Sequence, residues 1–171
     1  MMTTLFRLCA TLLTLLALAG SASASPLAQP GGQVILTVTG QIANSNDAEG
    51  AQFDLAMIEA LPQRQTRATT PWFEGPQQFT GPLLSDLMAA VGASGSALRI
   101  VAVNDYAATM PWEDLREVPV ILAVRHNGQT MSVRGKGPLF VIYPFDEYPH
   151  LRDEVYFSRS VWQVVRIEVV P

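Results

Sequence analysis

Polar and apolar residues alternate from Gln33 to Thr39, which predicts a strand with Val34, Leu36 and Val38 on one face. Asp54 stands where a helix N-cap belongs. The short helix behind it has an apolar side of Leu55, Ile58 and Leu61, and Pro62 stops it. Arg64 to Thr70 is β-prone and ends at Pro71. The clearest helical period follows: Leu84, Leu87, Met88 and Val91 recur at i, i+3, i+4 and i+7, with Pro82 near the first turn and Gly92 at the end. Leu98 to Val103 predicts a strand that runs into a turn at Asn104-Asp105. Pro119 to Arg125 and Thr130 to Val133 bracket Asn127-Gly128, a strong hairpin signal. Leu139 to Tyr143 and Val161 to Val170 predict two further apolar strands. Between them, Pro144 to Ser158 is a long connection punctuated by Pro144 and Pro149; Phe145 to His150 reads as a solvated loop, and the whole is either a solvated connection or a segment that closes over a ligand. Strands outnumber helices and return through tight turns. The expected class is α+β, a single domain with mixed β-sheets and two or three short helices.

A different pattern precedes this body. Arg7 leads an apolar run from Leu8 to Leu18, and Ala22-Ser23-Ala24 supplies a small-residue cleavage site. The run falls short of the ~20 apolar residues that a spanning helix needs. Residues 1–24 therefore read as a secretory signal cut before Ser25, leaving no transmembrane segment and a periplasmic product. Residues 25–32, with Pro26, Pro30 and two glycines, form a flexible lead-in, and residues 33–171 form the domain.

Cleavage changes the chemistry. Cys9, the only cysteine, lies in the leader, so the exported chain has neither a disulfide nor a thiol. Removing Arg7 leaves ten basic against fifteen acidic residues, a net charge of -5, which argues against nucleic acid as a partner. The two histidines, His126 and His150, lie 24 positions apart with no further ligands clustered around them, so no metal site is expected. There is no G-x-S-x-G elbow, P-loop or H-E-x-x-H motif. Asp86, Glu113 and Asp114 read as helix-end and surface carboxylates.

Four stretches carry a family likeness. Phe79-Thr80-Gly81-Pro82-Leu83-Leu84-Ser85-Asp86-Leu87 is similar to an aromatic-x-Gly-hydrophobic-Pro-Leu-x-Asp-Leu-Leu helix start, and Asn104-Asp105-Tyr106 with Met110-Pro111 to an Asp-Gly-Tyr strand turn. His126-Asn127-Gly128-Gln129 with Arg134-Gly135-Lys136-Gly137-Pro138-Leu139 resembles an Asn-Gly-x-x-Leu…His-Gly-x-Pro-Leu-Arg segment, and Arg159-Ser160-Val161-Trp162-Gln163 a Lys-Ser-Val-Lys-Trp element. Together, in order, they resemble the molybdopterin-binding domain of the sulfite oxidase family. That family holds molybdenum through a cysteine at the end of the strand before the helix start. Here the strand reads Thr66-Arg67-Ala68-Thr69-Thr70-Pro71, with Thr69 or Thr70 nearest that position. A threonine hydroxyl stays protonated and is a poor soft ligand. The pattern, Thr69-Thr70-Pro71-Trp72 included, also resembles a narrower group of small exported bacterial pterin-binding proteins, some linked to membrane enzymes that make or degrade cyclic di-GMP.

The resemblance implies a non-catalytic protein that senses pterin and relays its occupancy to an inner-membrane signalling partner. The alternative is a molybdopterin-dependent oxidoreductase component with non-cysteine metal ligation. A pterin needs a face to stack on, an acceptor for its guanidine-like edge, and a donor for its carbonyl. Candidate faces are Trp162, Tyr106, Tyr143 and Trp72; Trp162 stands where the resembling enzymes place a cofactor-facing lysine. Asp105, beside Asn104, is the first candidate carboxylate, with a plain turn role as the alternative; Asp146 is the second. Arg134, Lys136 and Arg159 are the candidate cations, with Gly135 and Gly137 on either side of Lys136, and Thr70 marks the lost cysteine. Tyr148, His150, Arg152 and Tyr156 are the residues expected to face the partner.

Overall fold

The alternating apolar residues at the start of the body build a central parallel strand pair. In the computed structural model, which describes residues 27–171, β1 (Leu36–Gly40) runs parallel to β11 (Val164–Val170). The sheet extends antiparallel on both sides, through β2 (Ala51–Phe53) at one edge and β5 (Ala97–Ala102) and β6 (Ala107–Pro111) at the other. Its strand order is β2-β1-β11-β5-β6. A four-stranded antiparallel sheet orders β3 (Gln63–Thr69), β4 (Pro76–Pro82), β8 (Arg125–His126) and β9 (Gln129–Thr130). A third sheet pairs β7 (Ile121–Ala123) with β10 (Phe140–Ile142). The expected α+β class with mixed sheets is what the chain forms. The signal peptide and cleavage site expected of residues 1–24 lie outside the described residues.

Four short α-helices accompany the sheets among the described residues, more than the two or three expected: α1 (Leu55–Ala60), α2 (Leu84–Ala90), α3 (Trp112–Glu117) and α4 (Glu154–Arg159). The Asp54 cap forms as the sequence predicts. Its carboxylate accepts from the Met57 amide at 2.8 Å and the Gly32 amide at 2.7 Å, and these bonds hold its pKa below the usual range. Helix α2 carries the predicted stripe, with Leu84, Leu87, Met88 and Val91 fully or almost fully buried. They join one hydrophobic cluster with Leu36 and Val38 of β1, Leu98 and Ile100 of β5, Ile167 and Val169 of β11, and all of β7 and β10. In the strand expected from Gln33, the pairing starts three residues later, and Val34 is 38% exposed, off the buried face.

The Asn127-Gly128 turn joins β8 and β9, with φ of 50° and 81° at its two central residues, as a tight hairpin requires. The strand expected from Pro119 to Arg125 instead divides at Val124: β7 pairs with β10 and β8 with β4. Val124 donates its amide to Thr80 at 2.8 Å and so serves the second sheet. At Gly81, opposite this joint, a Cβ would run into the Leu122 carbonyl, so only glycine fits. The strand expected to reach Val133 stops at Thr130, and Val133–Gly135 coils into a 3-10 turn. The segment from Pro144 to Ser158 is no solvated connection: it holds a 3-10 turn at Pro149–Leu151 and helix α4, and it buries Phe145 and Leu151.

His126 of β8 lies against two rings, with centroids 4.9 Å from Phe79 and 4.5 Å from Phe73. Burial among these rings pushes its pKa below the ordinary 6.5, because the charged form loses hydration. The folded state therefore binds a proton less readily than the unfolded chain. Stability is full above pH 6.5 and declines as pH falls below it. Thermal melts at pH 7 and 5.5 are expected to show a larger acid loss for the wild type than for His126→Phe; equal losses would remove His126 as the cause.

Candidate functional site

Three segments from different elements meet around one cleft of about 320 Å³. The β5–β6 turn brings Asn104 and Tyr106, the approach to β11 brings Ser160, Val161 and Trp162, and α4 brings Glu154, Phe157 and Ser158. Trp72, on the turn between β3 and β4, completes the aromatic side. Its ring centroid lies 5.6 Å from Trp162, 5.5 Å from Phe140 and 5.8 Å from Phe157, with the Trp162 and Phe157 rings edge-on. Such tilted and edge-on packing fixes ring orientation without covering every face.

Backbone geometry places a cation on this cluster. Lys136 has φ of 70° and Gln163 has φ of 55°, both left-handed. The Gln163 amide donates to the Lys136 carbonyl at 3.2 Å, and the Gln163 side chain donates to the Val133 carbonyl at 2.7 Å. Lys136 Nζ consequently sits 4.0 Å from the centroid of the Trp162 ring, a cation–π contact. Across the cleft, the Tyr106 hydroxyl donates to the Ser158 carbonyl at 2.9 Å, joining the β5–β6 turn to α4. The Asn104 side-chain oxygen accepts from the Tyr106 amide at 3.3 Å, which ties the residue to its own turn.

The structure thus gathers Trp162, Trp72, Tyr106 and Asn104 around one opening, with Lys136 beside Trp162. The other candidates lie elsewhere. Tyr143 is fully buried and offers no stacking face; burial, and then the hydrogen bond it donates to Asp114, raises its pKa far above the usual value. Asp105 is exposed in a left-handed turn conformation with φ of 64°, donating its amide to Ala102 at 3.1 Å, which is the plain turn role. Arg134 is exposed and does not line the cleft. Arg159 pairs with Asp114 at 3.0 Å and lies over the Tyr156 ring at 5.4 Å. Asp114 is consequently a buried network residue and not the surface carboxylate expected of it.

Asp146 is likewise engaged. It accepts from the Thr69 amide at 3.0 Å and from Arg152 at 2.6 Å. Burial alone would raise its pKa, but the Thr69 amide and the Arg152 guanidinium outweigh that and hold it low. Of the residues expected to face a partner, His150 and Arg152 are exposed, whereas Tyr148 and Tyr156 pack partly against the core. The carboxylate that the cleft does contain, Glu154, escaped sequence reasoning, because α4 is only six residues long and its segment reads as a loop.

Thr70 is 6% exposed, two residues before Trp72, and its hydroxyl has no hydrogen-bond partner in the protein. Among the described residues, no group of three or more His, Cys, Asp or Glu side chains is placed to hold a metal ion. A hydroxyl in place of a thiolate, with no cysteine among the described residues, does not fit cysteine-type ligation of molybdenum. No helix among the described residues is long and apolar enough to cross a membrane.

No family model matches the chain, and no curated protein matches it. Among solved structures it is similar to the crystal structure of the sulfane dehydrogenase SoxCD from Paracoccus pantotrophus, with a TM-score of 0.61 and 19% sequence identity. The match covers 79% of this chain and 37% of that chain, so the likeness reaches well under half of the larger protein. It shows the fold alone: a single small α+β domain of the sulfite-oxidase type.

Proposed function

We propose that the protein is a non-catalytic, exported pterin-binding receptor that uses this cleft as its ligand site. One observation carries the reading. The sequence elements resembling a pterin-binding domain supply Trp162, Trp72, Tyr106 and Asn104, and these separated residues converge on a single opening. Its size and its lining of four aromatic rings beside four polar side chains suit a small flat ligand. The lack of a thiolate favours the organic ring over a metal-bearing form of it.

The expected result is that protein purified from the periplasm carries pterin fluorescence, or gains thermal stability when pterin is added, because a ligand that binds only the folded state raises its stability by mass action. Protein showing neither would overturn the reading. Relay to an inner-membrane partner, with a cyclic-di-GMP-metabolising enzyme as the proposed recipient, would run through the segment from Pro144 to Ser158. Its α4 end lines the cleft while His150 and Arg152 face outward. Ligand shifts such a partner only as far as it changes the affinity for the partner's states.

A second reading is favoured by the likeness to a sulfane dehydrogenase: a molybdopterin-dependent oxidoreductase component that holds metal without cysteine. Elemental analysis of protein from a cofactor-producing host separates the two. Stoichiometric molybdenum supports the enzyme, and its absence alongside bound pterin supports the receptor.

A further inference from the structure

We propose that Glu154 determines the specificity of the cleft, selecting flat heteroaromatic rings that carry a guanidine-like edge, an exocyclic amino group beside a ring N–H. The inference rests on the ligand-cleft reading above and narrows the chemistry of what enters.

The serine hydroxyls of the cleft are already engaged. The Ser158 hydroxyl donates to the Val155 carbonyl at 2.7 Å and the Ser160 hydroxyl to the Tyr156 carbonyl at 2.9 Å. The carboxylates nearest in sequence and fold are also taken: Asp114 pairs with Arg159, Asp146 with Arg152, and Asp153 caps α4 by accepting from the Val155 amide at 2.9 Å. Glu154 is the one carboxylate lining the cleft, and no ion pair joins it to a basic side chain among the described residues. The Asp153 cap fixes where α4 begins and therefore where this side chain starts.

An ionised carboxylate only accepts, and its two oxygens match two parallel N–H donors. A ring edge bearing an amino group and an adjacent N–H presents that pair; an edge bearing two carbonyls presents acceptors to an acceptor and is repelled. Glu154 is exposed, so it acts at the mouth of the cleft, on the edge of a ring that enters it. Lys136 is engaged on the Trp162 ring and does not line the cleft, so the feature selected is the donor edge that meets Glu154.

The test compares pterin, which has the 2-amino group, with lumazine, in which a carbonyl replaces it, by calorimetric or fluorescence titration of the exported chain. Wild-type protein is expected to prefer pterin. Glu154→Gln should lose about tenfold in pterin affinity, the scale of one charge-assisted contact, while lumazine affinity changes little. Glu147→Gln, which removes an exposed partner of Arg64 outside the cleft, should keep the wild-type preference. Unchanged melting of Glu154→Gln shows that the effect is local. A Glu154→Gln protein that still prefers pterin as strongly as wild type, or a wild type indifferent to the two rings, overturns the role of Glu154 while leaving the cleft reading intact. A wild type that binds neither ring overturns both.

Discussion

Trp162→Ala should weaken pterin binding by roughly 1–3 kcal/mol, about 5- to 150-fold, the range for removing an aromatic platform. The indole is half-buried, lines the cleft and carries Lys136 on its ring. Truncation removes the stacking surface and also releases the ammonium from its cation–π contact, so affinity falls for two reasons. The same change strips edge-on contacts from Trp72 and Phe140, with ring centroids 5.6 Å and 6.0 Å away, and lowers stability as well. Titration below the variant's melting range separates the effects. Trp162→Phe, which keeps a ring, should recover much of the affinity. Normal binding by folded Trp162→Ala would reduce Trp162 to a packing residue.

The second large effect lies away from the cleft. Asp114→Ala is expected to cost about 3 kcal/mol of stability, the scale for removing one partner of a buried pair. Asp114 and Arg159 are 9% and 20% exposed at their side chains, and the Tyr143 hydroxyl donates to the same carboxylate. Removing the carboxylate leaves the tyrosine hydroxyl unpaired in the core and the guanidinium without its counter-charge. For a chain of this size the melting temperature should fall by roughly 6–12 °C. Asp114→Asn keeps an acceptor for Tyr143 but loses the charge facing Arg159, so its loss should be smaller. A variant Asp114→Ala melting within about 1 °C of wild type would show that the pair is solvent-screened and contributes nothing.

The elements with a strong local period were legible in the sequence. Helix α2 follows from its apolar stripe, the β8–β9 hairpin from Asn127-Gly128, and the Asp54 cap from its place before Leu55. Those that escaped are short and receive their stability from packing: β2, β6, α3 and α4 span three to six residues each. Strand β4 hid behind its own end, because Gly81-Pro82 reads as the start of α2. The site divides the same way. Trp162, Trp72, Tyr106 and Asn104 were found through motif resemblance. Sequence could not tell an aromatic that faces the cleft from one that fills the core, which is why Tyr143 stood beside Trp162. Nor could it anticipate that Arg159 would be engaged by Asp114, a residue 45 positions away.

The bond from the Tyr106 hydroxyl to the Ser158 carbonyl bears on timing. It is a single exposed contact between neutral groups, and such a bond is worth only about 1 kcal/mol net. Thermal motion breaks a contact of that strength often, so the bond does not by itself lock the β5–β6 turn to α4. On the proposed receptor reading, so weak a strap suits a gauge, whose occupancy has to follow the surrounding concentration up and down, and not a storage vessel.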